Sequence, residues 1–198
     1  STDDTNHLPH SFNDARIRIF TQSNQGLSKS LNFGICQAKG KYIARQDHDD
    51  ISLRHRLLKQ VEFLEENHNC GLLGTWGEIW SRTGPTGRSH KHPTESGLLN
   101  FELISNNPFI HTSWMVPKAV FNKIGLYSTD PNREPPEDYE MASRIARHFH
   151  VNNLPENLVI YREIGNSISS VLRTFNSGTP SRIKTNLALI SSENLAFY

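Results

Sequence analysis

Three carboxylates fall within four positions in Asp47-His48-Asp49-Asp50, directly after the apolar run Tyr42-Ile43-Ala44 and Arg45-Gln46. Like charges this close repel one another, so the pattern points to a neutralising partner, and a divalent cation is the simplest. Carboxylate oxygens are hard ligands that suit Mg²⁺ or Mn²⁺, and Mg²⁺ in particular uses one or two carboxylates and leaves positions for substrate phosphates. The same residues also suit a solvated turn in which Asp50 or Ser52 caps the next helix. A second acidic pair, Glu137-Asp138, opens a helical stripe of Met141, Ile145 and Phe149. A carboxyl beside another carboxylate, or in a dry pocket, is raised toward the range of a general base. Acidic residues are equally favoured at a helix N-terminus by the dipole.

The histidine pairs His90/His92 and His148/His150 have metal-like spacing, but no third ligand is placed with either, and a solvated role fits them better. Trp76, Trp80 and Trp114 suit the core or a pocket wall more than a sugar-stacking platform.

These groups need elements to hold them. Alternation over Ala15–Phe20 predicts a strand, the spacing of Leu27, Leu31, Ile35 and Ala38 a helix stopped at Gly40, and Tyr42–Ala44 a second strand. Ser52 is expected to cap a helix whose face carries Leu53, Leu57, Val61 and Leu64. Leu72–Trp76 reads as a strand, Arg82–Pro93 as an exposed loop, and Thr94 as the cap of a helix through Leu98, Leu99 and Leu103. Phe109–Val116 reads as a strand, Lys118–Ile124 as a helix, Ser128–Pro136 as a loop, Leu158–Tyr161 as a last strand and Arg182–Tyr198 as a C-terminal helix. Strands alternating with helices predict an α/β fold with a mostly parallel sheet, and the acidic triplet stands at a strand's carboxyl end, where such sheets bind ligands.

With 198 residues, 35% of them hydrophobic and 21% charged, the chain suits one domain over residues 1–198 with a sizeable core. Twenty-one basic residues against 20 acidic ones give no electrostatic reason to expect nucleic acid as a partner. Cys36 and Cys70 lack a paired metal spacing and fit thiols in a reducing compartment. No apolar run approaches the roughly 20 residues of a membrane span. The polar opening Ser1–Thr5, without a methionine, leads to the expectation that further chain precedes it.

Five ordered motifs resemble the family 2 glycosyltransferases: "STDDT" at Ser1–Thr5, "NQGLSKSLNFGICQAKGKYIARQDHDD" at Asn24–Asp50, "NPFIHTSWMVPK" at Asn107–Lys118, "EDYEM" at Glu137–Met141 and "NLPENLVIYRE" at Asn153–Glu163. The resemblance implies a GT-A, Rossmann-like fold, a nucleotide-sugar donor, a glycan or lipid-linked acceptor and transfer with inversion. It also implies that Asp49, with Asp47, binds Mg²⁺ or Mn²⁺, and that Asp47 meets the donor's ribose or the metal shell. Asn24 and Gly26 match the turn beside the nucleotide, and Lys41 and Arg162 are expected on the donor side. Asp138, with Glu137 beside it, is the expected general base. His111 and Trp114 lie on the acceptor side, although His111 fits a hydrogen-bonded strand histidine as well.

Two departures from the family pattern stand out. No histidine follows Tyr161-Arg162, where Glu163, Ile164 and Gly165 stand instead. The family's first β-α-β unit, which completes the donor site, has no counterpart before Ser1. These departures give a second expectation, a non-catalytic sugar- or nucleotide-binding remnant. A metal-dependent phosphoester hydrolase needs more ligands than the spacing supplies. The family also implies cytoplasmic residence, with peripheral association at the inner membrane face where lipid-linked acceptors lie.

Overall fold

A computed structural model of the chain describes residues 11–163 and 181–198. The motif Ser1–Thr5 and the residues after Glu163 up to position 180 lie outside the described residues. The elements run α1 (Leu27–Gln37), β1 (Tyr42–Ala44), β2 (Ile51–Ser52), α2 (Arg56–Glu66), β3 (Cys70–Ser81), β4 (Gly84–His90), α3 (Ser96–Glu102), a 3₁₀ turn (His111–Ser113), β5 (Met115–Pro117), α4 (Lys118–Ile124), α5 (Glu137–Ala146), β6 (His150–Arg162) and α6 (Ser181–Phe197).

The α/β architecture expected from the sequence is present, as one sheet in the order β1-β5-β3-β6-β2 with β4 also on β3. Strand direction differs from the expectation. The longest pairing, β3 with β6, is parallel, whereas β1 with β5, β5 with β3, β3 with β4 and β2 with β6 are antiparallel. The sheet is therefore mixed. The short strands β1 and β2 form the two ends of the strand order, and β5 lies between β1 and β3.

Strand β3 alternates its side chains between two cores. Leu72 packs with Trp114, Val116, Tyr139, Met141 and Ile145, under α4 and α5. Leu73 points the other way, to Leu64, Cys70 and Met115 under α2. Along its edge, β3 is shared: Leu73 faces Met115 of β5, and from Gly77 onward its partner is β4. The 3₁₀ turn fills the gap between them, where the Ser113 hydroxyl accepts the Thr75 N–H at 3.0 Å. A Cβ on Gly77 would stand 2.9 Å from both Ile110 Cδ1 and Val159 Cγ2, so any larger residue there would push these side chains aside.

Four sequence expectations change here. Ala15–Phe20 is not a strand: the Asp14 carboxylate takes the Arg16 N–H at 2.9 Å and closes a turn, Ile17, Ile19 and Phe20 stay exposed, and Phe20 packs edge-on against Phe33. Most of Arg82–Pro93 is strand β4, its turn made possible by Gly84 at φ 116°. Phe109–Val116 gives way to the 3₁₀ turn and the three-residue β5. Helix α2 starts at Arg56 rather than beside Ser52, and its buried face is Arg56, Gln60 and Leu64, leaving Leu57 52% and Leu58 58% exposed. The C-terminal helix α6 docks through buried Ile190 and through Asn194, whose amide donates to Leu103 O at 2.6 Å and Ser143 Oγ at 2.9 Å.

Candidate active site

The acidic loop leaves the end of β1 and returns as β2, and its backbone is pinned at several points. Arg45 N–H donates to Trp114 O at 2.9 Å, and Asp47 N–H to Thr112 Oγ1 at 2.9 Å. The Arg45 guanidinium holds Asp47 through two bonds of 2.6 Å, the bidentate geometry in which arginine binds carboxylates most strongly. Arg162, at the end of β6, donates its N–H to Asp50 Oδ1 at 2.8 Å and its Nε to Asp49 O.

Asp47, Asp49 and Asp50 each offer an oxygen within 4.8 Å of the others. Burial pushes the Asp50 carboxyl up to about 6, the Arg162 N–H opposes this, and the Asp49 and Asp47 charges add to it. The set fits a hard divalent cation: it supplies three oxygen donors carrying negative charge that Arg45 neutralises at Asp47 alone. His48 is 96% exposed, with its Nδ1 3.8 Å from Asp49 Oδ1.

The second acidic pair heads α5. Asp138 is half-buried, accepting from Asn107 Nδ2 at 2.9 Å and from the Tyr139 N–H at 2.8 Å. Burial raises both carboxyls; Glu137 rises to about 7, with the charge of Asp138 adding to it, while Arg45 holds both back in part. His111 faces this pair, its Nδ1 3.9 Å from Glu137 Oε1 and its Nε2 2.8 Å from the Tyr127 hydroxyl. Burial drives the His111 pKa well down, so the ring is neutral and hydrogen-bonded rather than an ionic partner of Glu137.

The two acidic groups are therefore linked through the 3₁₀ turn and Arg45. His111 faces Glu137 while its chain neighbour Thr112 holds Asp47, and the charge of Arg45 acts on Glu137, Asp138 and His111 as well as on its partner Asp47. Arg162, expected on the donor side, stands on the acidic loop.

The other expected residues divide. Asn24 and Gly26 form a tight turn, Asn24 Oδ1 accepting the Gly26 N–H at 3.1 Å with Gly26 at φ 88°, a conformation that favours glycine. This turn opens α1, whose Ser28 N–H reaches Glu134 Oε1 at 3.4 Å, three positions before Glu137. Lys41 is not brought to the acids: it precedes β1 at the end opposite the loop, with Nζ 2.7 Å from Glu65 on α2. Trp114 is 1% exposed and lies behind His111, ring centres 4.5 Å apart, so it supports the histidine and presents no surface to an acceptor.

Sequence reasoning passed over Arg45, Asn107, Thr112 and Tyr127, which hold the acids and His111, and Arg56 with Gln60 beneath the loop. The signal for Arg45 and Arg56 was their position on either side of an uncompensated acidic triplet; the others carry none outside the fold.

The family model "Glycosyl transferase family 2" matches residues 1–125 of the 198. A glycosyltransferase of Haemophilus influenzae is 33% identical over 202 residues, covering 93% of this chain and 58% of the relative. This chain thus spans little more than half the length of that relative. Among solved structures, S. aureus TarS 1-349 in complex with UDP-GlcNAc superposes with a TM-score of 0.66 at 15% identity, over 100% of this chain and 60% of that one. The mannosyltransferase PcManGT from Pyrobaculum calidifontis, in complex with GDP-Man and Mn²⁺, gives a TM-score of 0.51 at 13% identity, over 87% of this chain and 54% of that one. Both structural likenesses bear on the fold, and that fold is GT-A. With a family model covering well over half of its residues, this chain belongs to glycosyl transferase family 2.

Proposed function

We propose that this chain forms part of a glycosyltransferase that moves a sugar from a nucleoside-diphosphate donor to a hydroxyl of a glycan or lipid-linked acceptor, with inversion. The observation that carries the reading is the meeting of Asp47, Asp49 and Asp50 with Glu137 and Asp138 around the 3₁₀ turn. Donors named with the structural neighbours, UDP-GlcNAc and GDP-Man, belong to this class.

Asp49 and Asp47 would hold Mg²⁺ or Mn²⁺. A cation bound there supplies Lewis-acid neutralisation of the departing diphosphate. Asp138 takes the proton of the acceptor hydroxyl. Its carboxyl is raised by burial toward the working range, and the Asn107 amide and Tyr139 N–H fix its orientation. The charge of Asp138 in turn raises Glu137, and the charge of Arg45 holds both carboxyls back in part. A base at the head of α5 and donor phosphates held at the acidic loop would put acceptor and leaving group on opposite sides of the transferred sugar, which is the requirement for a single displacement. The Asn24–Gly26 turn and Arg162 complete the donor side. Among the described residues no helix is long and apolar enough to cross a membrane.

The test is a donor panel offered to the full-length protein with Mn²⁺ or Mg²⁺. The expected result is release of nucleoside diphosphate with one donor, lost by about 10²–10⁴-fold in Asp138→Asn while donor binding persists. No release with any donor overturns transfer and favours a binding remnant, and unchanged turnover in Asp138→Asn removes it as the base.

A further inference from the structure

Arg56 is 1% exposed, and all five of its hydrogen-bond acceptors are neutral. Nε donates to Gln60 Oε1 at 3.0 Å; Nη1 donates to Gln46 Oε1 at 3.0 Å and Ser52 Oγ at 2.7 Å; Nη2 donates to Arg45 O at 2.7 Å and Trp114 O at 3.2 Å. Burial lowers this guanidinium to about 10, and the charge of Arg45 adds to the effect. Burying a charge without a counter-ion costs several kcal/mol, and an apolar side chain of similar volume would stabilise a core at least as well. Stability alone therefore does not account for an arginine here.

Its acceptors suggest what does. Arg45 O and Gln46 stand where β1 becomes the acidic loop, and Ser52 stands where that loop has become β2. Trp114 O lies where the 3₁₀ turn becomes β5, and the same carbonyl takes the Arg45 N–H. Gln60, one helical turn on, continues the contact by donating to Leu73 O at 3.0 Å and Ser113 O at 2.8 Å. One planar fork thus joins both ends of the acidic loop to the end of the turn that carries His111 and Thr112. A lysine in its place keeps the charge but not the fixed, planar set of donors.

We infer that Arg56 is a positioning residue, whose guanidinium sets where Asp47 and Asp49 stand relative to His111 and Asp138. The catalytic part of this inference rests on the glycosyl-transfer reading; the metal-binding part does not.

The experiment uses the full-length protein, with Arg56→Lys and Gln46→Ala compared to wild type. Free Mn²⁺ is titrated and followed by electron paramagnetic resonance without donor, the melting temperature is recorded, and kcat is separated from KM for donor and acceptor. Arg56→Lys is expected to stay folded and to weaken Mn²⁺ binding by about 10–100-fold, the range seen when groups orienting metal ligands are replaced. Its kcat is expected to fall by at least about tenfold at unchanged acceptor KM, the signature of a misplaced site rather than a lost binding contact. Gln46 is exposed, so Gln46→Ala tests the same fork without disturbing the core, and it is expected to weaken Mn²⁺ in the same direction. Wild-type Mn²⁺ affinity and kcat in folded Arg56→Lys overturn the inference; where that variant fails to fold, wild-type values in Gln46→Ala do so. A wild type that binds Mn²⁺ without transferring sugar overturns the proposed function and leaves Arg56 to be judged on metal affinity alone. A wild type that binds no Mn²⁺ overturns both.

Discussion

Thr112 Oγ1 accepts the backbone N–H of Asp47 at 2.9 Å, across 65 residues of sequence. Because His111 precedes this threonine, the hydroxyl ties the acidic loop directly to the turn that faces Glu137.

Replacing Thr112 with valine keeps the shape and removes the acceptor, which leaves the Asp47 N–H unpaired. The expected cost is about 1–3 kcal/mol, the usual penalty for a donor stranded away from water. Asp50 also loses the Thr112 hydrogen bond that holds its carboxyl down, so its protonation shifts to higher pH. Thermal melting and Mn²⁺ titration check this; a wild-type melting temperature with wild-type Mn²⁺ affinity refutes it.

Stability without a bound metal should fall as pH rises through the range set by Glu137. Its folded-state pKa, about 7, lies above the ordinary 4.5, so between these values the folded chain holds a proton that the unfolded chain has released. The contribution favouring the fold is fully present below pH 4.5, shrinks through that window and is gone above 7. Glu137→Gln removes this group's share, so it should make the curve shallower, leaving the slope that Asp50 contributes, and raise the melting temperature at pH 8 by several degrees. Parallel curves for wild type and variant between pH 4 and 8 would count against the burial of this carboxyl.

Lys41 separates the family resemblance from the geometry. The resemblance puts it beside the donor, whereas its ammonium pairs with Glu65 and lies 5.1 Å from the Tyr42 ring. Lys41→Ala is expected to leave donor KM within about twofold of wild type, because an exposed pair of this kind contributes little. A tenfold rise in donor KM would return Lys41 to the site.

What could be read in the sequence has a physical pattern. Helices α1, α4 and α5 were legible because each announces itself locally, through apolar spacing, the glycine after α4 or the acidic residues opening α5, although α1 ends at Gln37 rather than at Gly40. The carboxylates at Asp47–Asp50 and Glu137–Asp138 were legible because uncompensated charge is conspicuous. Strand β4 was not, since its Gly, Pro and Ser residues favour a loop and only the free edge of β3 makes them a strand. Helix α2 was phased wrongly for a related reason: leucines mark the apolar stripe by rule, yet this helix buries Arg56 and Gln60 and leaves Leu57 and Leu58 outside. Trp114 shows the same limit, because its residue type suits a sugar platform and only tertiary packing turns it inward.

The bond from Arg162 to Asp50 spans 112 residues, and it closes the loop on which Asp49 stands. On a ribosome adding about 5–20 residues per second, the first aspartates wait roughly 6–20 seconds before that partner exists. Until then the loop has only the contacts made by earlier residues, those of Arg45 and Thr112 with Asp47, and Asp50 lacks its N–H donor. A polypeptide that stops short of Arg162 carries these acids without the contacts that β6 supplies to Asp49 and Asp50.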